Sequence, residues 1–275
     1  MWWSFLLASD LDGTLIPLEP TPGYSREIDR FARVMASSGD VQLAYVTGRH
    51  YSLAIEGIRE QGLPLPDHLA CDVGTSVHTR DGDGFEVDPD YRRWMSRCLG
   101  GRTAQAFAGV VDDLPHLVLQ EEEKQAEFKR SYYLRSDAVP DETVSMVQDR
   151  LDRAGLDCSL VISEDPVTRM GLLDLLPPGV TKKTSLDYFR AKTGLAIDRI
   201  AFAGDSGNDV AALISGIRGI VVGNAPEPVK ERVRREAARA GRLDTVYFAE
   251  NDLVAGVIEG CCHAGFLQVS GPGSN

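Results

Sequence analysis

The chain of 275 residues is predicted to fold as an α/β protein, a parallel sheet with helices on both faces that carries an inserted α+β segment. Three observations predict it. Short apolar runs alternate with segments of helical spacing at both ends of the chain. Several of those runs end in small loops rich in Gly, Asp and Thr. In the middle of the chain the alternation gives way to strands joined by short links.

Taken in order, Phe5-Leu6-Leu7-Ala8-Ser9 reads as a buried strand running into an acidic, glycine-containing turn. Residues 25–38 place Ile28, Phe31, Ala32, Val34 and Met35 at helical spacing. Val41-Gln42-Leu43-Ala44-Tyr45-Val46 is a second strand and ends at Thr47-Gly48-Arg49. The next helix carries Leu53, Ile55 and Ile58 and stops at Gly62-Leu63-Pro64. Residues 68–72 give a third strand, after which Gly74-Thr75 turns into Ser76-Val77-His78.

The pattern changes after Asp81-Gly82-Asp83-Gly84. This tetrad has the look of a calcium loop, but the later ligands of an EF-hand are missing, so a hairpin turn is expected. From Phe85 the sequence reads helix, strand (117–120), strand (128–134), helix (141–154), strand (159–163) and strand (171–175). A small antiparallel sheet backed by two helices follows from that order. The expected division is therefore 1–84 with 175–275 as the α/β core and 85–174 as the insertion. From Lys182 the alternation resumes, with a helix (184–193), a strand (200–203) and the loop Gly204-Asp205-Ser206-Gly207-Asn208-Asp209. A helix, a strand (219–222), the loop Gly223-Asn224-Ala225 and a charged helix through Arg239 come next, and residues 270–275 read as a frayed tail.

Composition bounds the function. With 43% hydrophobic and 25% charged residues the chain has an ordinary globular make-up. A net charge of −12 argues against nucleic acid as a partner. No apolar run approaches the roughly 20 residues that span a bilayer. The N-terminus has no basic segment before Asp10, unlike a signal peptide. Five cysteines (Cys71, Cys98, Cys158, Cys261 and Cys262) lack paired spacing, which fits reduced thiols and a cytoplasmic location.

The chemistry sits in loops that follow strands, where an open α/β sheet places its ligands. Asp10 and Asp12 follow the first strand, Thr47 and Gly48 the second, and Asp205, Asn208 and Asp209 a later one; Lys182 opens the helix before it. Two carboxylates one residue apart repel and need a cation or a shared proton. Four acids converging on one edge suit a hard cation such as Mg²⁺. A phosphoryl group then fits between metal and protein, with Thr47, the Gly48 amide and a lysine on its oxygens. In this arrangement Asp10 is the nucleophile and Asp12 the acid/base.

Asp-Leu-Asp-Gly-Thr, Thr-Gly-Arg, the lysine and Gly-Asp-Ser-Gly-Asn-Asp resemble the four signatures of the haloacid dehalogenase superfamily of phosphatases, a Rossmann-like fold. The insertion between the second and third signatures resembles the α/β cap of its type IIB members. Within them the chain is similar to the sucrose-phosphatase family, through 65–75, 128–134, 173–179 and 255–259. The resemblance implies a Mg²⁺-dependent sugar-phosphate phosphatase acting through an aspartyl-phosphate. It implies Asp10, Asp12, Asp205 and Asp209 at the metal, Asp12 through its carbonyl. It implies Thr47, Gly48, Lys182 and Asn208 at phosphate, with Lys129 and Gln125 near the sugar. Lys183 stands where many relatives have glycine, so either lysine is open as the phosphate contact.

The expected substrate is a disaccharide phosphate such as sucrose 6-phosphate or mannosylfructose phosphate, with a sugar-phosphate synthase as a possible partner. A broad metabolite phosphatase, and a phosphomutase or phosphotransferase on the same scaffold, are the alternatives. A binding protein without turnover would lack one of Asp10, Asp12, Lys182 or Asp205, and all four are present.

Overall fold

The computed structural model describes residues 4–135, 140–164, 168 and 170–267. The expected C-terminal tail lies outside the described residues. Strands β1 (Phe5–Ser9), β2 (Val41–Val46) and β3 (His68–Cys71) alternate with helices α1 (Tyr24–Ser37) and α2 (Tyr51–Glu60). A hairpin of β4 (Ser76–Asp81) and β5 (Gly84–Val87) follows, closed by Asp81 opposite Gly84. Next come α3 (Pro89–Cys98), α4 (Gln105–Val111), β6 (Leu117–Leu119), β7 (Arg130–Leu134), α5 (Pro140–Arg153), β8 (Ser159–Glu164) and β9 (Gly171–Leu176). The last third runs α6 (Lys182–Thr193), β10 (Ile200–Gly204), α7 (Val210–Leu213), β11 (Arg218–Val221), α8 (Glu227–Arg239), β12 (Val246–Phe248) and α9 (Leu253–His263).

The large sheet has the order β12-β11-β10-β1-β2-β3-β4-β5. Pairing is parallel from β12 to β3 and antiparallel from β3 to β5. The change follows from connection length, because residues 72–75 are too few to cross a sheet and a close connection reverses the chain. Alternation along β1 sends Leu7 to one core, with Phe31 of α1, Ile58 of α2 and Val257 of α9. Leu6 and Ala8 join the other, with Phe189 of α6, Leu213 of α7 and Val233 of α8. Central strands buried on both faces explain why their sequences read as continuous apolar runs.

The small sheet, β6-β7-β9-β8, is antiparallel throughout. Phe107 of α4 and Val147 and Leu151 of α5 join Tyr132, Leu134, Leu173 and Leu175 in one core. Arg130 and Tyr132 reach Asp112 at the end of α4, so α4 and α5 cover that face of the sheet. Where the sequence reads as a single helix after Phe85, two form, because Gly100 (φ +60°) and Gly101 (φ +80°) end α3. The strand expected from residue 128 starts at Arg130, since Ala126 and Lys129 bond in a tight reversal just before it. Leu53, placed on the apolar side of its helix by spacing, is exposed, and Ala54, Ile55 and Ile58 make the buried face. Strand β12 is an addition to the reading, its three residues being too few to show a period.

Candidate active site

Strand order reverses between β1 and β10: the chain leaves β1 towards β2 and leaves β10 towards β11. Such a switch point opens a crevice at the carboxyl ends of the strands. Asp10 leaves β1 there, its amide bonded to the Ala203 carbonyl of β10 at 2.9 Å. The Leu11 carbonyl then gathers the amides of Thr14, Leu15 and Ile16 into a tight turn. Gly13 has φ +76°, and a Cβ on it would lie 2.3 Å from Asp205 Oδ2, so both conformation and space demand glycine.

That turn brings Thr14 to Asp205, whose Oδ1 accepts from the Thr14 hydroxyl at 2.7 Å. Asp209 turns back on its own loop and accepts from the Ser206 amide (2.9 Å) and hydroxyl (2.8 Å) through Oδ2. Its Oδ1 accepts from Lys182 Nζ at 2.8 Å, and the same ammonium lies 2.8 Å from Asp10 Oδ2. Lys182 is 1% exposed and Asp209 fully buried. Lys183 points away to Asp187 on the exposed side of α6, so Lys182 is the lysine inside the site.

Asp10, Asp205 and Asp209 each offer an oxygen within 4.8 Å of the others. Burial pushes Asp10 well above the usual carboxylate range; Lys182 opposes the rise, and Asp209, Asp205 and Asp12 add to it. Asp205 is pushed up to about 7 by burial and by Asp209, against the Thr14 bond and Lys182. Burial works against the Lys182 charge, but the two carboxylates overcome it and hold the ammonium ionised. Three buried acids around one lysine leave a deficit of positive charge. With oxygen donors only, the set fits a hard divalent cation.

Asp12 stands outside that trio. Arg49 grips its carboxylate with Nε to Oδ2 at 2.8 Å and Nη2 to Oδ1 at 2.5 Å. Thr47 is fully buried at the end of β2, and its Oγ1 accepts the Arg49 amide at 3.1 Å, which leaves the hydroxyl proton free to donate. Gly48 follows Thr47 on the same loop. Asn208 stays in the Asp205 loop, its Oδ1 accepting from Ser206. Lys129 reaches across from the small-sheet segment to Asp72 at 3.1 Å, both residues buried. The Gln125 amide is committed to backbone: Nε2 donates to the Gln120 and Ser131 carbonyls and Oε1 accepts from the Ser131 amide.

Sequence reasoning passed over three contributors. Thr14 and Arg49 lie inside the quoted motifs, but their partners, Asp205 and Asp12, are 191 and 37 residues away. Asp72 sits in a turn where it and Val73 take left-handed backbone (φ +54° and +59°), a strained choice for a β-branched residue. Nothing in the sequence marks that strain.

Residues 3–265 match the family model described as sucrose-6F-phosphate phosphohydrolase. A haloacid dehalogenase-like hydrolase of Nitrosococcus oceani is 33% identical over 94% of this chain and 71% of its own length. Mannosylfructose-phosphate phosphatase of Agrobacterium fabrum is 28% identical over 94% of this chain and 96% of its own. In fold, the sucrose-phosphatase of Synechocystis sp. PCC6803, solved with sucrose and phosphate, superposes with a TM-score of 0.79 at 21% identity, covering 97% of this chain and 100% of that one. The crevice of acids and lysine thus lies within a chain that belongs to the sucrose-6F-phosphate phosphohydrolase family, a phosphoric monoester hydrolase of the haloacid dehalogenase superfamily.

Proposed function

We propose that the chain hydrolyses a disaccharide phosphate, sucrose 6-phosphate or mannosylfructose phosphate, through an aspartyl-phosphate on Asp10. A sugar-phosphate synthase would supply the ester. The expected division, 1–84 with 175–275 as the catalytic core and 85–174 as the cap over it, serves with two adjustments: residues 85–87 of β5 go with the large sheet, and Leu175 and Leu176 of β9 with the small one. The observation that carries the reading is the Asp10–Lys182–Asp209 chain of contacts at the switch point, beside Asp205.

Asp10 Oδ attacks phosphorus as the bond to the leaving alcohol oxygen breaks. Asp12 gives that oxygen its proton, then takes one from the water that displaces Asp10 and releases inorganic phosphate. The Thr47 hydroxyl, the Gly48 amide and Lys182 hold the phosphate oxygens, with Asn208 alongside. Asp209 keeps the Lys182 ammonium in place. Asp10, Asp205 and the Asp12 carbonyl would hold Mg²⁺, with Asp209 close by; bound there, the ion offsets the negative charge of the phosphoryl group. The small sheet, docked by Lys129 on Asp72, shields the crevice from bulk water.

A phosphate-release screen over sugar phosphates, nucleotides and small aryl phosphates with Mg²⁺ tests the substrate. Fast release from the disaccharide esters is expected; release from nucleotides or small phosphates alone would sink the reading. Asp10→Asn tests the mechanism separately, with loss of all turnover in a folded protein as the expected outcome. Substantial residual activity would remove Asp10 as nucleophile.

A further inference from the structure

A cavity of about 530 Å³ lies between β4 with the turn before it, the start of α3 and the segment joining β6 to β7. Its volume is that of a small-molecule site. It is joined to the candidate active site through the loop that follows β2. His50, on its wall, directly follows Arg49, which grips Asp12. The Asp72 and Val73 amides bond to the Arg49 and Thr47 carbonyls, so the cavity wall is fastened to the phosphate loop itself. A leaving alcohol must sit on the side of its proton donor, and this cavity shares its wall with the loop that carries Arg49, the partner of Asp12.

The wall has one strong cation, and that cation is spoken for. Arg92 donates Nε and Nη2 to the two carboxylate oxygens of Glu127, each at 2.7 Å. Lys129, just behind the wall, is committed to Asp72. His50 Nδ1 accepts the Leu53 amide at 3.4 Å. Burial holds His78 down to about 4, so it is uncharged at neutral pH. Glu123 adds a carboxylate with no hydrogen-bond or ion-pair partner among the described residues. The charged groups of the wall are therefore carboxylates and an arginine already paired, with the hydroxyls of Tyr51 and Ser52 beside them.

We propose that Glu127, by occupying the Arg92 fork, keeps substrates with a second phosphate out of this cavity. The inference rests on the sugar-phosphate reading above and extends it to a residue that sets specificity without touching the reacting atoms. A planar guanidinium with both arms free would bind phosphate bidentately, and Glu127 removes that option. An unpaired Glu123 adds repulsion against a second dianion.

The test compares kcat/KM for sucrose 6-phosphate or mannosylfructose phosphate with kcat/KM for fructose 1,6-bisphosphate, in the native enzyme and in Glu127→Gln. The native enzyme is expected to favour the singly phosphorylated ester by roughly tenfold or more. Glu127→Gln frees Arg92 and is expected to narrow that preference about tenfold, through KM for the bisphosphate. Arg92→Gln, which removes the cation and frees Glu127, is expected to widen it. Both side chains are exposed, and a ratio of two substrates on one protein is insensitive to the folded fraction. Equal native use of the bisphosphate, or a ratio unmoved in both variants, overturns the inference while leaving the phosphatase reading intact. Failure to turn over any sugar phosphate would instead overturn the reading beneath it and this inference with it.

Discussion

Arg49 closes on Asp12 with both arms of its guanidinium, 2.8 Å from Oδ2 and 2.5 Å from Oδ1. A forked pair of this kind fixes the plane of the carboxylate as well as its position. Arg49→Lys keeps the charge and loses the fork. The expected result is a fall of about tenfold in kcat with little change in melting temperature, since a misoriented proton donor costs rate more than stability. Steady-state kinetics beside a thermal melt check it. Unchanged kcat would show that Asp12 finds its orientation without Arg49.

Lys182 is the only cation within hydrogen-bond reach of Asp10 and Asp209 among the described residues. Lys182→Met leaves two buried carboxylates facing each other without a counter-charge. Removing one partner from a buried ion pair costs about 3–5 kcal/mol. Urea unfolding of the metal-free protein should show a loss of that order, and an unchanged midpoint would mean the acids take up protons at little cost.

Asp205 sits high, at about 7, because it is buried beside Asp209. An acid raised in the fold favours the fold at pH below its ordinary value, and that contribution is lost as pH climbs towards 7. A divalent cation binds the ionised form and reverses the loss. Mg²⁺ is therefore expected to raise the melting temperature more at pH 8 than at pH 5.5, and Asp205→Asn to shrink the difference. Removal of divalent ions by a chelator should abolish phosphate release, and readdition of Mg²⁺ should restore it. An equal Mg²⁺ effect at both pH values would argue against this trio as the cation site.

His78 stacks on Tyr51 at 4.4 Å, and burial lowers it from 6.5 to about 4. A base depressed in the fold contributes stability above its ordinary value, and that stability drains as pH falls from 6.5 towards 4. Between pH 7 and pH 5 the loss from this group is about 2 kcal/mol at most. His78→Phe keeps the stack and removes the titration. Its stability should fall less than the native protein's over that interval, and parallel curves would place the acid sensitivity elsewhere.

Much of the site was legible because its residues sit at the ends of strands. Strands β1 and β2 appear with the bounds that their apolar runs suggest, since burial on both faces makes them largely apolar, with Ser9 and Gln42 the exceptions. Asp10, Thr47 and Asp205 follow such runs directly, and a parallel sheet brings those ends to one edge. The acidic cluster at that edge was therefore an expectation from order alone.

The pairings were not legible. Lys182 and Lys183 are adjacent and identical in kind, and only the direction each leaves α6 sends one to Asp10 and the other to Asp187. Gln125 lies close to where the resemblance places a sugar contact, yet its amide closes the backbone around Ser131. The bonds of Arg49 to Asp12, Thr14 to Asp205 and Lys129 to Asp72 join residues that no local pattern relates.

The sequence by itself determined the α/β alternation, the strand ends that carry the chemistry and the family to which the chain belongs, because these depend on local periodicity and short motifs. Tertiary structure alone decided which lysine faces the acids, which arginine holds Asp12 and how Glu127 ties Arg92 at the cavity wall. Those choices rest on distances between elements far apart in the chain, and such distances exist only once the two sheets have packed.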